Sequence, residues 1–148
     1  MSTPRPRITT QSGAAAVEFA LVCSVFFTLL LGAVEMGRLL WTWNAATEAT
    51  RLGARLAVVC DLNDPDIKTK MISRLPSLDT NNIVVDYLNP PAAVNTCTVA
   101  TCKAVRVSLT GYEHDTIIPF LPLTLDMPAF TTTLRREHMQ SSGNSVCS

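Results

Sequence analysis

From Ala14 to Val34 the chain reads AAAVEFALVCSVFFTLLLGAV, and Glu18 is its only charged residue. No other feature limits the fold as strongly. An apolar run of this length satisfies its own backbone as a helix. At 1.5 Å per residue it extends about 31 Å, close to the ~30 Å hydrocarbon core of a bilayer. The sequence therefore predicts one membrane span over 14–34. Glu18 then needs a reason, because a charge in hydrocarbon costs roughly 2.5–3.5 kcal/mol on insertion scales, and an ionisable residue there marks a functional site.

The flanks orient the span. Residues 1–13 carry Arg5 and Arg7 and no acid, which favours a cytoplasmic N-terminus. Trp41 and Trp43 fall where an interfacial aromatic belt belongs, so the remainder is expected outside, in the periplasm of a diderm bacterium. A cleaved secretory signal fits poorly, because the apolar run is too long and Leu31-Gly32-Ala33 is a weak exit site. A lipoprotein signal needs a small residue before Cys23, where Val22 stands. A plain uncleaved anchor is the competing reading, and it leaves Glu18 unexplained.

Helical pattern continues past the membrane. Ala45, Ala49, Leu52, Leu56 and Val59 share one face of a 3.6-residue period, and no proline occurs between Ala14 and Pro65. One long helix is expected over about Ala14 to Val59, membrane-spanning first and amphipathic afterwards. Asp64 and Pro65 begin a second, short helix that Pro76 ends, with Ile67, Met71, Ile72 and Leu75 as its apolar face. Three alternating runs follow as strands: Ile83/Val85/Tyr87, Val105/Val107/Leu109 and, with a weaker alternation, Phe130/Thr132/Leu134/Arg136. The proline-rich IIPFLPLTLDMP reads as a loop or edge segment, and QSSGNS as a mobile tail. The fold class is α+β, a long N-terminal helix packed on a small antiparallel sheet of three or four strands. The expected organisation is a leader over 1–13, the long helix over 14–60 and a periplasmic α+β domain over 61–148.

Lysine plus arginine balances aspartate plus glutamate, 12 against 12. No basic stripe interleaves with aromatics, so nucleic acid is not an expected partner. No G-x-S-x-G, H-E-x-x-H or phosphate loop is present, so neither an enzyme nor a small-molecule substrate is expected. His114, in YEHDT, reads as a solvated histidine among acids. Four cysteines, Cys60, Cys97, Cys102 and Cys147, lie outside the span. His114 and His138 lack metal-ligand spacing relative to them, so disulfides are expected rather than a metal, with no cofactor. Three pairings are possible; Cys97–Cys102 with Cys60–Cys147 is preferred, the long bridge tying the tail to the helix base. A chain-entropy model gives about 2 and about 4.6 kcal/mol for the two. Cys23 is expected to be a free thiol in the membrane.

The stretch G-AAAV-E-F resembles the type IV prepilin processing site. More narrowly, GAAAVEFALV…LLLGAVEMGRLL…AATEATRLGARLA, across residues 13–57, resembles the TadE-like family. VRVSLTGY…PFLPL…TLDMPA is similar to its later strand and proline-loop pattern. The resemblance implies a pseudopilin or minor pilin of a tight adherence (Flp-type) pilus machine in the bacterial inner membrane. A prepilin peptidase would cut between Gly13 and Ala14, with Glu18 and Phe19 completing the processing site. The implied partners are that peptidase, other pilin or pseudopilin subunits with their assembly platform, and membrane lipid. Glu18 would neutralise the new amine of a neighbouring subunit, setting register more than stability. Snorkelling to the interface is the simpler alternative. Glu35 and Arg38, three apart in GAVEMGR, also resemble the family and read as an interfacial ion pair.

Overall fold

The computed structural model describes residues 12–118 and 123–147. The expected leader falls mostly on residues 1–11, outside that range. Helix α1 runs Ser12–Ala57 and helix α2 Pro65–Arg74, followed by a 3-10 turn at Thr80–Asn82. The strands are β1 (Ile83–Leu88), β2 (Ala104–Leu109), β3 (Glu113–Asp115), β4 (Thr124–Asp126) and β5 (Phe130–Arg135). The chain divides into two compact units between Gly37 and Arg38.

In the first unit, every side chain from Gly13 to Val34 is exposed except Cys23, which is half-buried and a free thiol. The helix is long and apolar enough to cross a membrane. Its few hydroxyls are satisfied internally: Ser24 Oγ donates to the Leu21 carbonyl at 2.8 Å and Thr28 Oγ1 to the Ser24 carbonyl at 2.7 Å. Lipid offers such groups no partner, so back-bonding removes a cost of several kcal/mol.

The second unit is an α+β domain. Its three-stranded antiparallel sheet has the order β1-β2-β5, and β3 pairs with β4 in a separate two-stranded sheet. Alternation places Val105, Val107 and Leu109 inside, while Arg106 and Ser108 face away. Asp86 and Arg106 are register partners on that outer face and form an ion pair at 2.7 Å.

The sheet and α2 cover a stripe of α1 that is smaller in side-chain volume than the expected one. Thr42, Ala46, Ala49, Thr50, Gly53, Ala54, Leu56 and Ala57 are buried, whereas Ala45, Leu52 and Val59 are only half-buried. Close approach selects this rotation, because small residues let another element come near. Ile67 and Met71 of α2 and Leu75 just beyond its end close the core beneath it. Each contributes about 1.5–3 kcal/mol by leaving water.

Local chemistry fixes the ends of α2. The Asp64 carboxylate accepts from the Asp66 N–H, and Pro65 occupies the first turn. The helix stops at Arg74, before Pro76, and the Leu75 N–H reaches back to the Met71 carbonyl. The segment after β5 is held in place, contrary to the expectation of a mobile tail. The Glu137 and Gln140 N–H groups donate to the Val58 and Val59 carbonyls, completing the C-terminal end of α1. Ser141 Oγ accepts from the Asp61 N–H and donates to Asp64, and Lys70 donates to the Val146 carbonyl. A Cys60–Cys147 disulfide joins this segment to the base of α1, and Cys97–Cys102 closes the other cross-link.

One strand escaped the sequence reading, and another forms within the segment read as a loop or edge. YEHDT forms β3, which the pattern did not reveal because the strand is three residues long. Its alternation turns Glu113 and Asp115 outward and His114 inward, so His114 is 4% exposed rather than solvated. Part of the proline-rich segment forms β4, with Leu125 opposite His114; the rest includes residues 119–122, outside the described range.

Candidate functional site

The first candidate lies at the start of α1. Gly13 and Ala14 are in its first turn, and a Cβ built on Gly13 meets nothing within 4 Å. The backbone here is thus sterically open to an enzyme. One turn on, Glu18 is exposed, and Phe19 beside it is 71% exposed. Glu18 makes no hydrogen bond or ion pair with any described residue. Its carboxylate therefore stands on an apolar helix with every neighbouring side chain uncovered.

Glu35 ends the charge-poor stretch in the first unit, and Arg38 opens the second. Both are half-buried and both engage partners. The two tryptophans separate in role. Trp41 is 62% exposed, whereas the Trp43 ring packs edge-on against Phe130 with centroids 5.1 Å apart. Trp43 thus joins α1 to the sheet in addition to lying near the expected interface.

A second candidate is a cavity of about 430 Å³ beside Arg38, Trp41 and Thr42, walled by Ser77, Tyr112 and His114. Serine, histidine and acids in one cleft invite a catalytic reading, but the bonding is wrong for it. Ser77 Oγ is 2.7 Å from Tyr112 Oη, so its partner is a phenol and not an imidazole. Among the described residues Ser77 is thus not joined to a base that could activate it. Among the described residues no three His, Cys, Asp or Glu side chains are placed to hold a metal.

Comparison with known proteins falls on the first candidate. A family model described as TadE-like protein matches residues 13–55, starting at Gly13 and ending just short of the α1 C-terminus at Ala57. No curated protein matches the chain, and no solved structure does. The match points to a pilus-related, structural protein whose N-terminal apolar helix is a candidate membrane anchor.

Proposed function

We propose that this chain is a pilin-like assembly subunit, a minor pilin or pseudopilin of a tight adherence (Flp-type) type IV pilus machine. The observation that carries this reading is the coincidence at Gly13. The family match begins there, and an apolar helix with Glu18 one turn in follows. A prepilin peptidase cuts between Gly13 and Ala14 at the cytoplasmic face. The helix stays in the inner membrane, and the α+β domain lies in the periplasm. Assembly proceeds through the N-terminal helix, whose apolar side chains exchange lipid for neighbouring helices. Glu35 and Arg38 act as an interfacial ion pair, an interaction worth little alone.

The mass of the mature protein tests this. Purified from a host containing the peptidase, the chain should begin at Ala14, and from a host lacking it, at Met1. An intact Met1 in both hosts would instead support an uncleaved single-pass anchor for a periplasmic binding or scaffold module.

A further inference from the structure

At the Arg135 end of the sheet lies an open cavity of about 750 Å³ that the assembly reading does not use. Lys103, Arg135 and Arg136 line it, together with Pro90, Thr101 and Cys102, and among the described residues no carboxylate does. The chain as a whole is electrically neutral, so three cations in one cavity are a local concentration and not the expression of a basic protein.

Their charge is retained. Lys103 Nζ donates to the Pro90 carbonyl at 3.2 Å and Arg136 Nη1 to the Val99 carbonyl, both neutral acceptors. Neighbouring acids are not part of that lining. Asp86, two register positions from the Ala104–Arg135 pair, accepts from Arg106 Nε and Nη2 at 3.0 and 2.7 Å. Glu137 lines a different cavity with His138 and Gln140. The Cys97–Cys102 disulfide closes the loop that carries Val99 and Thr101. Cys102 lines the cavity directly before Lys103, so the disulfide anchors the backbone from which Lys103 projects.

The position is informative too. Phe130, at the start of β5, packs on Trp43 of α1, whereas Glu137, just beyond its end, bonds to Val58. Fifteen residues of helix separate those two points, about 22 Å. The cavity, lined by Arg135 and Arg136, therefore sits toward the Val58 end of α1 rather than the Trp43 end.

We infer that this cavity binds an acidic polysaccharide. Three cations lining one cavity suit a run of carboxylate or sulfate groups, and the Thr101 hydroxyl suits the sugar hydroxyls between them. The lining has no aromatic ring on which a nucleobase could stack, which disfavours nucleic acid. Its apolar lining is limited to Pro90, Ala100, Cys102 and Ala104, side chains too short to wall an acyl-chain groove, which disfavours lipid. The inference rests on the proposed function only for the ligand's access to the domain, and binding can be measured whether or not residues 1–13 are removed.

Full-length protein in neutral detergent should bind alginate or chondroitin sulfate fragments, and binding should weaken as salt rises from about 50 to about 200 mM. The Lys103→Gln/Arg135→Gln double variant should bind about tenfold more weakly. Arg55→Gln, a charge removed from a different cavity that Glu48 and Arg74 also line, should bind like the parent. If the double variant loses its fold by circular dichroism, the exposed single variant Arg135→Glu takes its place. The inference is overturned if neither polysaccharide binds, or if neutral dextran binds as well. It is also overturned if duplex DNA or anionic vesicles bind more tightly, or if Arg55→Gln costs as much as the double variant.

Discussion

Gly53 of α1 lies against the thioether of Met71 in α2: a Cβ at Gly53 would come within 2.3 Å of Sδ and 3.0 Å of Cγ. Met71 is fully buried, so its side chain has little free volume into which to retreat. This contact sets how closely the two helices approach.

Gly53→Ala should therefore destabilise the domain by about 1–3 kcal/mol, the usual range for overpacking, even though alanine favours helix more than glycine. Met71→Ala alone should cost about 2–5 kcal/mol. Because the added methyl fills space that Met71 vacates, the double variant should be more stable than the sum of the two singles by at least about 0.5 kcal/mol. Urea denaturation of the four proteins measures this directly, and strict additivity would mean that the two side chains do not compete for one volume.

The cross-links give a second prediction. With bridges at Cys60–Cys147 and Cys97–Cys102, only Cys23 of the five cysteines should react with an alkylating agent in the unfolded, unreduced protein. After reduction all five should react. Cys147→Ser releases the segment that completes the C-terminal end of α1 and should cost about 2–5 kcal/mol. More than one reactive thiol before reduction would refute the pairing.

Stability should fall at both extremes of pH, for opposite reasons. Burial pushes the Tyr87 phenol above its ordinary value of 10.0; the Asn63 N–H opposes this and Asp64 adds to it. The unfolded tyrosine then releases its proton first. The contribution is complete below about pH 10 and is lost as pH rises, at most about 1.4 kcal/mol per pH unit. Asp79 behaves in the other sense. The Asn81 N–H, then the Thr80 hydroxyl, hold its carboxyl below the ordinary 3.8. Its contribution is present above that value and is lost as pH falls through the lowered one. Tyr87→Phe should flatten the alkaline limb of a urea-midpoint profile, and Asp79→Asn the acid limb, each leaving the other unchanged.

The sequence carried most of the fold because its strongest signals are periodic. A long apolar run, three alternating strands and the Asp64-Pro65 helix start each depend on neighbours within one element. What it hid depends on partners far along the chain. The three-residue strand at His114 exists only because Leu125 pairs with it, and the stripe on α1 rotated toward Gly53 because Met71 packs there. At the candidate site, the local pattern around Gly13 and Glu18 was readable, since one turn of helix contains it. The cation cavity was not, because Lys103 and Arg135 are brought together only by the pairing of β2 with β5.

Gly13 and Glu18 should fail at different steps. A peptidase must draw the backbone past its active site, so Gly13→Leu should block cleavage and leave a longer membrane protein. A Cβ at Gly13 meets nothing within 4 Å among the described residues, so a block there reports on the enzyme and not on the packing of the fold. Glu18 is proposed to act after the cut, when its carboxylate meets the new ammonium of a neighbouring Ala14. Glu18→Ala should be cleaved and remain in the membrane, since removing a charge eases insertion. It should lose incorporation, because an ammonium left unpaired in an apolar bundle costs about 3–5 kcal/mol. That is more than a hundredfold in the assembly equilibrium. Glu18→Asp, which keeps the charge on a shorter arm, should recover part of it. Immunoblots for precursor size read the first step, and crosslinking to co-assembled subunits reads the second. If Glu18→Ala assembles like the parent, charge pairing does not drive incorporation, even where the cut after Gly13 is correct.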